Sequence, residues 1–524
     1  MDWDYHDKYF TKEEIDERFK VFEKEKTFGQ VDERDVFHNQ VPAKGIAGCV
    51  IEQSVLHMKQ NAMQEADLSV LQSDGTYKDT ELKTTGVEIS NKQSEKYCAK
   101  EPMSITAVSI GTIEHEEFIG SHFYNKIAHL IFVFYLYQRN EGQKVVPYTD
   151  YEKFPILGYE FLDIADDPEE LEKFENDWRL AHDYLLSIEN NPDRYDLYPL
   201  LHQKIKQNLF YIDIAPRFKL KPKQSPRFRF KKSYVNTLFQ QFYAEKMKKK
   251  KLEKLQKDFS SYSELDDRLH ALTEQYRGKT IEELVDILHI HKLSVAGREG
   301  EQFLRPKFSK RISETIVVKM LGGTSRSISN IELFNKIGLI GKTITITSSG
   351  IETEEMKLFT MDLDEIMDET LSFENTSYYE YFSTHQILCI VFEEPSEEAM
   401  LNDNIFLGFK RLAFDETIIN GMIKDVYMDI CDKINNGKIV ESFCYLKDGS
   451  QRINKTGRPM VSINFPKQKD GDIFVRGTGK DSTVKPWVFK GDAIDGSGIV
   501  HTYSQQIWIK GRYITNELKK IDFI

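Results

Sequence analysis

The sequence predicts a mixed α/β protein in which one domain is repeated in tandem and the second copy has degenerated. Three observations carry this reading. Short apolar runs of strand character alternate with amphipathic helical segments. Four segments recur in the same order in the two halves of the chain. A Glu-x-Lys triplet in the first half is matched in the second half by its lysine alone.

At 524 residues the chain has room for two full cores, and 40% hydrophobic with 30% charged residues is an ordinary soluble composition. No run approaches the roughly 18 apolar residues that a membrane span needs. The most apolar stretch, "HLIFVFYLY" from His129, is short, β-branched and aromatic, and reads as a buried strand. The N-terminal "MDWDYHDKYF" has no basic region followed by an apolar one, so no secretion signal is expected. Five scattered cysteines without a C-x-x-C point to a reducing cytoplasm, without structural zinc or a disulfide framework. His289 and His291 form an H-x-H, but no nearby Cys or carboxylate completes a ligand set.

The repeat is read from four pairs of segments. "KDTELKTTGVEI" aligns with "GLIGKTITIT" from Gly338, and "KIAHLIFVFY" from Lys126 with "THQILCIVFE" from Thr384. "NDWRLAHDYLLSIENN" from Asn176 aligns with "KDVYMDICDKINNG" from Lys424, and "RFRFKKSYVNTLFQQF" from Arg227 with "QIWIKGRYITNELKKI" from Gln506. The lysine-rich "EKMKKKKLEKLQK" from Glu245 falls between the halves. The expected organisation is therefore a first domain over residues 1–245, a basic helical linker over 246–279 and a second domain over 280–524.

Residues two apart on a strand share a face, so Glu81 and Lys83 should project together. An isolated pair of this kind is far more often a cross-strand or surface salt bridge. Here it follows Asp67, which opens the strand-like "ADLSVL", and a turn "QSDGTYKD" with a D-G hairpin signal. That arrangement brings two carboxylates to one point, which suits Mg²⁺ and leaves positions for phosphate oxygen. Lys83 would orient or deprotonate the attacking water and offset developing charge. Glu52, closing "KGIAGCVIE", could reach the same cation. Asp74 and Asp79, in the hairpin, compete with Asp67 for the role of first ligand. On the second half, Glu81 falls on Ile340, Lys126 on Thr384 and Glu52 approximately on Val318, while Lys83 recurs as Lys342. One half keeps the chemistry; the other keeps the scaffold.

Net charge is -13, yet between Arg217 and Lys232 eight of sixteen residues are basic and none is acidic. Such a stripe on an acidic body can follow a phosphate backbone. It supplies Arg217, Lys219, Lys221, Arg227, Arg229, Lys231 and Lys232 as candidate DNA contacts, with Phe218, Phe228 and Phe230 anchoring them.

Taken together, "KGIAGCVIE", Asp67, "ELKTTGVEI", "EPMSITAVSI", "KIAHLIFVFY", the "DW" at Asp177 and "RFRFKKSYVNTLF" resemble the MutH family of endonucleases over most of residues 20–243. The duplicated arrangement resembles the two-domain, GATC-cutting restriction endonucleases of that family. The resemblance implies a restriction-endonuclease-like (PD-(D/E)xK) fold and Mg²⁺-dependent cleavage of double-stranded DNA at 5′-GATC-3′, leaving 5′-phosphates. It assigns Asp67 and Glu81 to metal binding, Lys83 to catalysis, and Glu52 and Lys126 to supporting roles. Lys44 and Gly45 match a loop that approaches DNA. Pro216 and Arg217 fall at the base-reading loop, where Ala215 replaces the family's arginine, and Arg229 replaces a tyrosine. The second copy would be an allosteric DNA-binding domain with Pro466, Lys467, Lys469, Arg476 and Lys510 on its DNA face, able to engage a second site and loop the DNA. A monomer or a DNA-induced dimer is expected. Two alternatives remain open: a methylation-directed nicking endonuclease of mismatch repair, and a non-catalytic DNA-binding regulator.

Overall fold

The computed structural model describes all residues except 1–4, 41–42, 44, 60–64, 92–95, 141–142, 144–145, 216–224, 291–307, 352–353, 369–370, 455–456 and 480–483. The chain divides into two compact units, one of residues 1–266 with 329–338, the other of residues 267–328 with 339–524. The boundaries expected at 245 and 280 are corrected accordingly. Residues 246–279 are not a solvated linker. The helix Lys232–Lys246 ends where the lysine run begins, Leu255 and Phe259 are buried, and Tyr262–Tyr276 is a helix. The few apolar side chains among the lysines fasten the segment down, which a reading weighted by charge overlooks.

In chain order the first unit contains β1 (Tyr9–Thr11), β2 (Leu68–Leu71), β3 (Tyr77–Asn91), β4 (Lys96–Ala99), β5 (Met103–Ala107), β6 (Leu130–Leu136), β7 (Ile156–Leu162), β8 (Ile212–Ala215) and β9 (Arg227–Phe230). The main sheet runs β1-β2-β3-β6-β7, with β4 also on β3, and a second sheet runs β5-β9-β8. Strands β2 and β3 are antiparallel, joined through Asp74-Gly75 with Gly75 at φ +84°, where a side chain would be strained. β3 and β6 are parallel, and β6 and β7 antiparallel. The sequence of β6, LIFVFYL, is apolar throughout because it is central and covered on both faces.

The second unit contains β10 (Leu339–Thr347), β11 (Met356–Thr360), β12 (Gln386–Glu394), β13 (Ile405–Leu412), β14 (Ile439–Phe443), β15 (Val461–Ile463), β16 (Ile473–Thr478), β17 (Trp487–Asp492), β18 (Ile499–Thr502) and β19 (Ser504–Ile509). It repeats the pairing scheme of the first. β10 and β12 are parallel, β12 and β13 antiparallel, and β11-β19-β16 reproduces β5-β9-β8 with the latest strand in the middle. Lys83 lies opposite Phe132 on β6, and Lys342 lies opposite Cys389 on β12. That register moves the counterpart of Lys126 by one residue, from Thr384 to Ser383; either carries a hydroxyl in place of an amine.

Ten residues of the second half, 329–338, belong to the first unit. Their helix Glu332–Ile337 is held by buried charge. Lys336 pairs with Glu170 at 2.8 Å and Glu332 at 3.1 Å, with 8% of its side chain exposed, and Gln241 donates to Glu332 at 2.8 Å. Truncating one partner of such a cluster leaves uncompensated charge indoors. Lys336→Met is expected to destabilise the protein by about 3 kcal/mol or more, measured as a lowered urea midpoint; an unchanged midpoint would show that the ion pairs are solvated.

Candidate active site

Four segments converge on the edge shared by β2 and β3. Asp67 immediately precedes β2, and its Oδ2 accepts a hydrogen bond from the Leu82 N–H at 2.8 Å. This fixes the carboxylate beside the stretch of β3 that carries Glu81 and Lys83. Leu82 points the other way, into the apolar core, so the alternation of the strand turns its two charged neighbours toward one face. Glu52 lies in the wide π-turn Ile51–Val55 that continues the helix Ile46–Val50. A Cβ on Gly48 would sit 3.6 Å from Thr84 Oγ1 and 4.0 Å from Glu52 Oε1, so the helix crosses β3 closely enough to deliver Glu52 there. Lys126 caps the short helix His122–Asn125.

Glu81 is the hub. Its side chain is 3% exposed, with Lys83 Nζ at 2.9 Å from Oε2 and Lys126 Nζ on Oε1. Lys126 also donates to the Glu65 carbonyl at 3.0 Å. Around this pairing the other carboxyls are held toward their neutral forms. Burial, and next the charge of Asp67, push Glu52 up to about 7. Burial, and next the charge of Glu81, push Asp67 up to about 6. Three acids crowded against two lysines form a site whose ionised state lacks positive charge. Oxygen donors with that deficit fit a hard divalent cation.

The remaining hairpin acids are otherwise engaged. Asp74 accepts from the Thr76 N–H at 2.9 Å and from Thr76 Oγ1 at 2.7 Å, closing the turn. Asp79 accepts from Ser69 Oγ at 2.7 Å. Asp177 is a buried brace: it takes N–H bonds from Phe210, Tyr211 and Ile212, which start β8, and burial lifts it to about 6.

Glu81, Lys83 and Lys126 open into a cleft of about 530 Å³. One wall is β5 and the loop beyond it (Ile105, Thr106, Ala107, Ser109), and another carries Arg227 and Phe228 of β9. Arg227 is exposed and its Nε donates to Ser104 at 2.8 Å. Glu116 and His122, ion-paired with one another, also line the cleft. Reading the sequence missed this pair, because nothing local marks residues separated by a loop and brought together at a helix start.

Several expected DNA contacts are corrected. Lys231 is 3% exposed and donates to the carbonyls of Leu209 at 2.6 Å and Ile337 at 3.3 Å, so it faces the interior. Arg229 pairs with buried Asp213, which also lies 3.3 Å from His202 Nε2. Lys232 is mostly covered, 3.9 Å from Glu88. Arg227 and Arg229 share one face of β9, with Phe228 and Phe230 on the other; what withdraws Arg229 and Lys231 from solvent is a buried acid and two carbonyls brought in from elsewhere in the chain, which nothing local signals. Gly45 precedes the helix Ile46–Val50 and is exposed. Lys44, Pro216, Arg217, Lys219, Lys221 and His291 lie outside the described residues.

In the second unit, Ile340 and Val318 are apolar, and Val318 is fully buried. Lys342 donates to the Lys357 carbonyl of β11 at 2.8 Å, and burial lowers its pKa, with the charge of Lys357 next. Glu314 is a remaining acid near Lys342, but it accepts from Ser327 Oγ and from the Ile328 N–H. Where the first unit has its cleft, between β5 and the helix His122–Asn125, the second packs rings. Phe359 of β11 lies 4.4 Å from Tyr381, 5.4 Å from Tyr378 and 5.7 Å from Phe382, all on the helix Ser377–Thr384. Of its expected DNA-facing residues, Lys469 and Arg476 are exposed, Pro466 and Lys467 are half-buried, and Lys510 is paired with Asp472 at 3.4 Å.

One further cluster of ligand-type groups lies at the adjoining ends of β6 and β7, where His129, Asp163 and Asp166 approach within 4.8 Å. His129 bonds Asp163 at 3.0 Å and Lys78 pairs with Asp166, so each acid already has a partner from the protein. No described helix is long and apolar enough to cross a membrane.

Residues 56–153 match the model of a family described as DNA mismatch repair enzyme MutH. That span contains Asp67, Glu81, Lys83 and Lys126. Over 458 residues the chain is 21% identical to Type II restriction enzyme Sau3AI of Staphylococcus aureus, covering 84% of this chain and 87% of that protein.

Proposed function

From a chain whose residues 56–153 match the MutH family model, a family of restriction-endonuclease-like fold, within a mixed α/β structure, we propose that this protein is a type II restriction endonuclease. In this reading it cuts double-stranded DNA at 5′-GATC-3′ with Mg²⁺, and its second unit binds effector DNA without cutting it. The observation that carries the proposal is the gathering of Glu52 and Asp67 about Glu81 and Lys83, the latter two lining a cleft, together with its absence from the matching place in the second unit.

Glu52, Asp67 and Glu81 would hold the cation. Mg²⁺ bound there supplies Lewis acidity to the phosphodiester and lowers the pKa of water. With a cation held there, Glu81 would give up part of its pairing with Lys83 and Lys126. Lys83 is then free to orient the attacking water and accept or relay its proton, while Lys126 and Arg227 meet the phosphates. The apolar and hydroxyl-bearing wall from Ile105 to Ser109 bounds the space left for the strand.

Similarity to the restriction enzyme extends through both units, which favours this reading over a single-domain repair nickase. The intact acid–lysine constellation favours it over a non-catalytic regulator. A short GATC duplex with an uncleavable linkage, added in trans, should accelerate cutting of a single-site plasmid several-fold. Fragment ends should carry 5′-phosphates at GATC. Cutting elsewhere would overturn the specificity, and no acceleration despite DNA binding by both units would overturn the effector role.

A further inference from the structure

The strand scheme shared by the two units leaves one part of the second unaccounted for. Between the helix Lys424–Asn435 and β19 it adds the sheet β15-β14-β17-β18. The first unit has no such sheet among its described residues; after its helix Pro168–Ile188 come short helical turns from Arg194 to Ile205. From this added sheet residues 444–454 and 457–460 extend as a chain that doubles back twice. Tyr445 bridges Gln451 and Ile453 bridges Pro459. Cys444 and Met460 are joined to Arg452 and to each other by backbone hydrogen bonds of 2.7–2.8 Å. Gly449 and Gly457 make its tips at φ +82° and +78°.

Its surface combines exposed apolar side chains with basic ones. Tyr445, Leu446 and Ile453 are 62%, 50% and 51% exposed. A soluble chain rarely leaves such a group uncovered without a partner. The sequence from 444 to 460 carries four basic side chains and one acid in a chain of net charge -13. The acid, Asp448, is turned in on Ser450, accepting its N–H at 2.9 Å and its hydroxyl at 2.6 Å. Lys447, Arg452 and Arg458 are exposed and have no ion-pair partner among the described residues. Nearby cations differ: Lys485 pairs with Glu441 at 3.1 Å and Lys510 with Asp472.

We propose that this ribbon, residues 444–454 and 457–460, is the DNA-docking element of the second unit, with Lys447, Arg452 and Arg458 on phosphates and Tyr445, Leu446 and Ile453 against the groove. Unpaired cations interleaved with exposed apolar side chains on a stiff ribbon fit duplex DNA. Cations on phosphate oxygens position a protein on a duplex, and apolar side chains beside them are used against base steps in the minor groove. The inference rests on the reading of this unit as an effector-DNA module and names the surface it uses.

The test uses full-length protein bearing Arg452→Ala with Arg458→Ala, and separately Tyr445→Ala. All three side chains are exposed, so folding should be unaffected. Cutting of a plasmid substrate is measured against increasing uncleavable GATC duplex. The expected result is at least a tenfold rise in the duplex concentration giving half-activation, with the unstimulated rate unchanged. The salt dependence of effector binding should also flatten by about two phosphate contacts in the double variant. Unchanged half-activation and salt dependence would overturn the ribbon's role. Loss of DNA-free self-association in the variants, seen by sedimentation, would overturn it in favour of a protein contact. If wild-type protein itself shows neither activation nor a second DNA site, the effector reading falls and the ribbon proposal with it.

Discussion

Lys83→Ala and Glu81→Ala are each expected to lower single-turnover DNA cleavage by about 10³-fold or more, while changing affinity for an uncleaved duplex by less than about threefold. The two losses have different origins. Glu81 is nearly fully buried and holds both lysines, so its removal takes a cation ligand away and leaves Lys83 and Lys126 without their shared anion. Duplex affinity survives because the phosphates meet other cations, Arg227 among them. Removing Lys83 leaves the acids in place but takes away the one amine beside Glu81 on β3. The comparison that isolates chemistry from folding is Lys342→Ala. That lysine only holds the β11 carbonyl of Lys357, so the reaction itself should persist. Wild-type cutting by either Glu81→Ala or Lys83→Ala would mean that the catalytic centre lies elsewhere.

Cation binding should be steeply pH-dependent. Glu52 titrates near 7 and Asp67 near 6 because both are buried beside other carboxylates. A divalent cation binds the ionised forms, so protons must leave. Apparent Mg²⁺ affinity should weaken by about tenfold per pH unit just below 7, and more steeply below 6. Stability moves in the complementary direction. With raised folded-state pKa values, the cation-free fold holds protons that the unfolded chain has already lost. This contribution is fully present below about pH 4 and is lost as pH rises through 6 and 7. Mg²⁺ should therefore raise the thermal midpoint clearly at pH 8 and little at pH 5, a contrast readable by scanning fluorimetry. An Mg²⁺ effect of equal size at both pH values would contradict the placement of the acids.

Much of this centre was legible in the sequence. Glu81 and Lys83 declare themselves through the two-residue period of a strand, and D-G marks the hairpin that aligns Asp67 with them. Three of the four repeated segment pairs contain strands that pair in the same scheme in both units, and the fourth is a helix in each, because apolar runs and their spacing determine which strands are central. What the sequence did not disclose depends on distant neighbours. The basic stripe looked uniformly outward, yet Lys231 is turned inward by carbonyls far away in the chain, Leu209 and Ile337. The lysine run after Glu245 looked like a tether because its anchors, Leu255 and Phe259, are sparse. That residues 329–338 join the first unit follows from Lys336 meeting Glu170, a contact with no local sequence signature. The aromatic packing of Phe359, Tyr378 and Tyr381 in place of a cleft was likewise invisible until β11 and its facing helix were side by side.

One cation centre is expected, in the first unit, and none in the second. Replacing Mg²⁺ with Fe²⁺, with hydrogen peroxide as oxidant and ascorbate to recycle the iron, would produce short-lived radicals at the bound metal, which nick the nearest backbone. Mapping the nicks by mass spectrometry should place them around Asp67 and Glu81, with suppression by excess Mg²⁺ and none in β10 or β12. Nicks clustered around Lys342, or none near Glu81, would contradict the account.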